Sequence, residues 1–129
     1  MYLERKLYSK LLDWKASERR KPLIIRGARQ VGKSTLVRAF SKEYKSFLEI
    51  NLERKEDRDL FNLSSVKDVI EVLLLREGMV FDQNPFLLFI DEIQESPEAI
   101  KMLRFFYEDY PDLHVICAGS LLEFALNAI

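Results

Sequence analysis

GARQVGKST, residues 27–35, stands between a short apolar run that begins at Pro22 and the helix-patterned segment LVRAF. Within it Gly27, Gly32, Lys33 and Ser34 match the pattern G-x-x-x-x-G-K-[ST]. Each residue type answers a physical demand. Polyphosphate presents oxygens in several directions, so a backbone that wraps it needs glycines where a side chain would obstruct the inward-pointing N–H groups. The helix that opens near Lys33 adds unpaired N–H donors and the positive end of its dipole. Lys33 supplies a compact ammonium for the β and γ phosphates, the Ser34 hydroxyl suits Mg²⁺, and Thr35 falls nearer the α phosphate. Gly27, Ala28, Arg29, Gln30, Val31, Gly32, Lys33, Ser34 and Thr35 are therefore the expected nucleotide cradle.

Working outward, the pattern is strand, loop, helix, repeated. Leu3, Leu7, Leu11 and Trp14 predict an amphipathic helix over residues 3–16. Pro22–Arg26 reads as a first buried strand, and Leu36, Val37, Phe40 and Tyr44 carry a helix from Lys33 to Tyr44. Phe47–Leu52 reads as a strand whose Glu49 and Asn51 alternate with apolar neighbours, which suits a sheet edge. ERKEDRD, residues 53–59, reads as a solvated loop or a helix start. Ser65 with Asp68 predicts a cap for a helix that ends at Gly78, and Ser96-Pro97 a cap for one stopped by Pro111. Between them FLLFI, residues 86–90, is the unbroken apolar run of a strand covered on both faces. His114–Ala118 is a fourth strand, and residues 121–129 begin a further helix. Alternating strands and helices imply an α/β fold with a parallel sheet and right-handed crossovers.

Composition narrows the function classes. Twenty Lys and Arg against 21 Asp and Glu give a formal charge of −1, so no global field draws the chain to nucleic acid or an anionic membrane. The cluster Arg19, Arg20, Lys21 reads as a solvated loop. Cys117 alone cannot build a disulfide framework, and a reducing cytoplasmic setting fits it. No apolar run approaches a membrane span. His114 has no metal-spaced partner and reads as a packing residue.

The second chemical signal is FLLFIDE, residues 86–92. Asp91 and Glu92 fall at the carboxyl end of a buried strand, where open parallel sheets bind ligands. Asp91 is the expected Mg²⁺ partner opposite Ser34, and Glu92 the expected acceptor from a water aimed at the γ phosphorus. Ser120, at the end of the fourth strand, is the expected sensor of the γ phosphate, and it also fits as a cap for the following helix. Gln94, two residues beyond Glu92, could steer water too, but reads more simply as a polar loop residue. A guanine-reading N-K-x-D segment is missing, since no lysine follows Asn51, Asn62, Asn84 or Asn127. The acidic pair suits attack by water better than by a bound acceptor, which disfavours a small-molecule kinase.

With GARQVGKST, FLLFIDEIQ and VICAGSLLEFAL in view, the chain resembles the N-terminal domain of a prokaryotic predicted-ATPase family of the AAA superfamily. Fuller members of that family carry a C-terminal domain with a nuclease-like core. The resemblance implies a single P-loop ATPase domain over residues 1–129, a three-layer sandwich of strand order 5-1-4-3-2, and ATP and Mg²⁺ as ligands. It implies ATP binding by Gly27 to Thr35, metal coordination by Ser34 and Asp91, water activation by Glu92 and sensing by Ser120, with Lys33 counted among the catalytic residues. Relatives continue into a fifth strand, a lid and the C-terminal domain, and the chain stops before these. An unpaired first-strand edge open to self-association is then expected, together with slow hydrolysis, because no arginine stands out as the stabilising cation. A nucleotide-gated interaction module, in which occupancy rather than turnover is the signal, is the alternative expectation. Nothing within these residues supports nucleic-acid binding.

Overall fold

The computed structural model describes residues 2–18, 20–26, 31–81 and 85–119. Four parallel strands form one sheet: β1 (Leu23–Arg26), β2 (Ser46–Asn51), β3 (Phe86–Asp91) and β4 (Leu113–Gly119), in the spatial order β1-β4-β3-β2. The helices are α1 (Tyr2–Ala16), α2 (Val31–Phe40), α3 (Lys55–Asp59), α4 (Val66–Glu77) and α5 (Pro97–Asp109).

The central strands read as continuous apolar runs because both their faces are covered. Along β3, Phe86, Leu88 and Ile90 join one core with α4 and α5 residues such as Val69, Leu73, Ile100 and Leu103. The alternate residues Leu87 and Phe89 join a second core with Leu11 of α1 and Val37 and Phe40 of α2. Chain alternation in β3 and β4 therefore divides the molecule into three layers, with the sheet between two helical coats.

Local signals terminate the helices where the sequence placed them. The Ser65 Oγ accepts from the Asp68 N–H at 3.1 Å, and Gly78 takes a left-handed φ of 66° that closes α4. Ser96 Oγ accepts from the Ala99 N–H at 3.0 Å, with Pro97 in the first turn of α5. The α2 prediction ran to Tyr44, whereas the α-helix ends at Phe40 and a 3₁₀ turn covers Ser41–Glu43. Tyr44 is nonetheless buried, so its apolar spacing reported packing rather than helix length.

Two readings need correction. Residues 53–59 contain α3, which bears out the helix-start reading over the loop, but its Asp57 is 4% exposed rather than solvated. One Asp57 oxygen accepts from the Asn51 backbone N–H at 2.9 Å and the other pairs with Arg76 at 2.9 Å. Arg20 is not a solvated loop residue either. Its guanidinium donates to the carbonyls of Lys15, Ser17 and Pro111 at 2.9, 3.2 and 3.3 Å, tying the end of α1 to the turn before β4. Beside it, Trp14 donates from Nε1 to the Lys21 carbonyl at 2.7 Å and stands edge-on to His114.

Candidate nucleotide site at the carboxyl edge of the sheet

β1 runs into α2, and β3 ends two strands away, so the fold sets the start of α2 against the carboxyl end of β3. Ser34, in the first turn of α2, donates from Oγ to Asp91 Oδ2 at 2.9 Å, joining positions 57 residues apart. The other Asp91 oxygen accepts from the Glu92 backbone N–H at 2.9 Å. Lys33 Nζ donates to the carbonyl of Gly119 at 3.2 Å, which draws the end of β4 into the same cluster. Lys33, Ser34, Asp91 and Glu92 thus meet where three elements converge.

Glu92 has a left-handed backbone, φ 53° and ψ 49°, and is the one described non-glycine residue with positive φ. That conformation costs on the order of 1 kcal/mol or more in a residue with a Cβ, and such strain concentrates at functional positions. It breaks β3 sharply into a 3₁₀ turn over Ile93–Glu95. Gln94, in that turn, donates from Nε2 to Glu92 Oε1 at 2.8 Å. The sequence leaves Gln94 between a water-steering residue and a polar loop residue, and favours the latter. Its one signal was its fixed offset from Glu92.

Of the expected cradle, Gly32, Lys33, Ser34 and Thr35 lie in α2, as does the backbone of Val31. Gly27, Ala28, Arg29 and Gln30 lie outside the described residues, as does Ser120 with the helix expected after it. Among the described residues no group of three or more His, Cys, Asp and Glu assembles. The two oxygens that do meet, from Ser34 and Asp91, suit a hard cation that keeps most of its waters and takes further oxygens from phosphate.

His114 belongs to the packing, not to this site. It is buried, and the Tyr44 hydroxyl lies 2.6 Å from its Nδ1. Burial, reinforced by the Arg20 and Lys15 charges, holds the imidazole down at about 3, so it is neutral at neutral pH. Burial likewise pushes the Tyr44 hydroxyl up, so the phenol donates and Nδ1 accepts. Cys117 is fully buried, and burial raises its thiol as well.

A parallel sheet with helices on both faces, a helix that begins shortly after β1 and acidic residues at the end of β3 define a P-loop NTPase-like α/β sandwich. The chain belongs to an AAA domain family, whose model matches residues 19–129. A search of curated proteins gave no match. Membership of that family makes this a nucleotide-binding domain of ATPase type. No helix among the described residues is long and apolar enough to cross a membrane.

Proposed function

We propose that the domain binds ATP with Mg²⁺ and hydrolyses it. The observation that carries this reading is the Ser34 Oγ to Asp91 Oδ2 contact at 2.9 Å, which puts a hydroxyl at a helix start and a strand-end carboxylate within reach of one ion. When bound, Mg²⁺ would neutralise charge on the phosphate oxygens. Ser34 and Asp91 would hold it, Asp91 largely through its waters.

The chain's own groups do the rest. Gly27 to Thr35 wrap the phosphates with backbone N–H groups, and Lys33 places its ammonium against the β and γ oxygens. Glu92 accepts a hydrogen bond from the attacking water and orients it toward the γ phosphorus. Ser120 follows β4 directly and reports the γ phosphate from there. In such a transfer the protein contributes positioning and charge stabilisation, so displacement of a carboxylate by 1 Å is enough to matter.

Lys33→Ala should abolish ATP binding by the intact chain, measured by titration calorimetry, and Glu92→Gln should keep binding and lose phosphate release. Undiminished affinity in Lys33→Ala would overturn the assignment. Binding without phosphate release in the unaltered chain would favour the nucleotide-gated interaction module instead. β1 is an end strand of the described sheet, and its Ile24 lines, with Leu103 and Tyr107 of α5, a groove of about 530 Å³. Self-association through that edge is therefore part of the proposal, with concentration-dependent light scattering as its test.

A further inference from the structure

Gln94 does more than touch Glu92. A carboxylate can only accept, so the amide nitrogen of Gln94 must face Glu92 Oε1, and the amide oxygen is thereby turned the other way. That oxygen is buried and has no hydrogen-bond partner among the described residues. It packs against the Cα of Gly119, where a Cβ would overlap it and would also crowd Ile93 Cγ2 at 3.3 Å. Gly119 is in turn the residue whose carbonyl accepts from Lys33 Nζ. A chain of contacts therefore runs from the phosphate-loop lysine through Gly119 to the Gln94 amide and on to the Glu92 carboxylate. A buried carbonyl oxygen without a donor is costly and rare, which marks this arrangement as one that a second arrangement can relieve.

We propose that Gln94 is a positioning residue that couples capture of a nucleoside triphosphate by Lys33 to the orientation of Glu92, with Gly119 as the connecting element. The proposal rests on the ATPase reading above. Phosphate oxygens compete with the Gly119 carbonyl for the Lys33 ammonium. As the ammonium moves to them, the Gly119 peptide is released, the Gln94 amide is uncovered, and its oxygen can accept one proton of the water whose other proton Glu92 accepts. Glu92 and Gln94 then hold the water from two sides, while Gln94 Nε2 keeps the carboxylate aimed.

Three variants of the intact chain test this: Gln94→Met, which keeps bulk and removes both polar atoms, Gly119→Ala, which displaces the amide, and the two combined. Gln94→Met should lower kcat about tenfold or more, a loss of about 1.4 kcal/mol in transition-state stabilisation, while ATP affinity stays within about twofold. Gly119→Ala should do the same, and the double variant should be no slower than the slower single one. A kcat within about twofold of the unaltered chain in Gln94→Met, or multiplying losses in the double variant, would overturn the proposal. A purely structural role would instead lower the melting temperature and leave kcat of the folded fraction intact.

The Gln94 side-chain amide signals in ¹⁵N-edited NMR, assigned by their loss in Gln94→Met, give a reading independent of turnover. They should move when ATP and Mg²⁺ are added to the unaltered chain, and in Gly119→Ala without any nucleotide. If ATP binds by calorimetry and the amide stays still, the coupling is wrong and the ATPase reading stands. If ATP does not bind at all, the ATPase reading fails, and an amide unmoved in Gly119→Ala would remove the contact chain as well.

Discussion

Asp57→Ala should destabilise the domain by about 2–3 kcal/mol, a large cost for one carboxylate in a segment of almost unbroken charge. The magnitude comes from two contacts. The Asn51 N–H loses an ionised acceptor at 2.9 Å, worth about 1.5 kcal/mol, toward the low end because this N–H can turn to water. It faces away from β3: the next residue, Leu52, donates to the Asp91 carbonyl, and successive N–H groups of a strand alternate in direction. Asp57 thus caps the open side of the edge strand. The second contact is the ion pair with Arg76 at 2.9 Å, between side chains 6% and 33% exposed. Breaking a fully buried pair costs about 3–5 kcal/mol, but Arg76 is partly solvated and can recover hydration, so about 1 kcal/mol is the appropriate share. At roughly 3–4 °C per kcal/mol for a chain of this size, the melting temperature should fall by about 6–12 °C. Urea denaturation with an unchanged slope, together with faster exchange of the Asn51 amide, would locate the loss. A change below about 0.5 kcal/mol, or strict additivity with Arg76→Ala, would refute the assignment of Asp57 to this ion pair.

His114 gives a pH signature. Its folded value of about 3 lies below the ordinary 6.5, so the unfolded chain takes up the extra proton between these limits. Its contribution is complete above about pH 6.5 and is lost as pH falls toward 3, by at most about 1.4 kcal/mol per unit; a His114→Gln variant should show a flatter acid limb in thermal melts. Ser96→Ala should cost about 1 kcal/mol by removing the acceptor from the Ala99 N–H, read by chemical denaturation. Ser34→Ala and Asp91→Asn should each weaken ATP binding about tenfold or more with Mg²⁺ present and change it little in EDTA, a contrast read by calorimetry. Equal losses with and without the metal would refute the shared-ion role of this pair.

What was legible in the sequence was whatever depends on near neighbours or on unbroken burial. FLLFI announced a strand covered on both faces because its two alternating sets, Phe86, Leu88, Ile90 and Leu87, Phe89, both need apolar partners. Ser65 and Ser96 announced helix starts because capping acts within three residues. Asp57 was illegible for the opposite reason: its partner Arg76 is 19 positions away and on another helix, and the five residues of α3 carry no apolar period to betray them. Arg20 misled similarly, since its place is fixed by carbonyls and not by charges in its own run. At the site, residue types and spacing pointed to Ser34 and Asp91. Gln94 was ranked too low because its environment is made by Gly119, a glycine at the end of β4 and distant in sequence.

The strained turn at Glu92 explains why a glutamate rather than an ordinary strand residue can occupy this corner. An extended residue at position 92 would continue β3 and send its side chain along the pleat; φ of 53° instead folds the chain back so that Asp91 Oδ1 receives the Glu92 N–H and Gln94 reaches the carboxylate. Two adjacent acidic residues are thereby given unlike surroundings, one carboxylate facing the Ser34 hydroxyl and the other held by an amide. A straight strand would send these adjacent side chains to opposite faces of the sheet; the turn instead keeps both carboxylates at the carboxyl end of β3, Asp91 on the Ser34 hydroxyl and Glu92 on the Gln94 amide. Relaxing the turn with Glu92→Gly would remove the strain and the carboxylate together. Loss of activity in that variant would therefore not separate the two, and Glu92→Gln, which keeps the Cβ and the turn, is the substitution that isolates the charge.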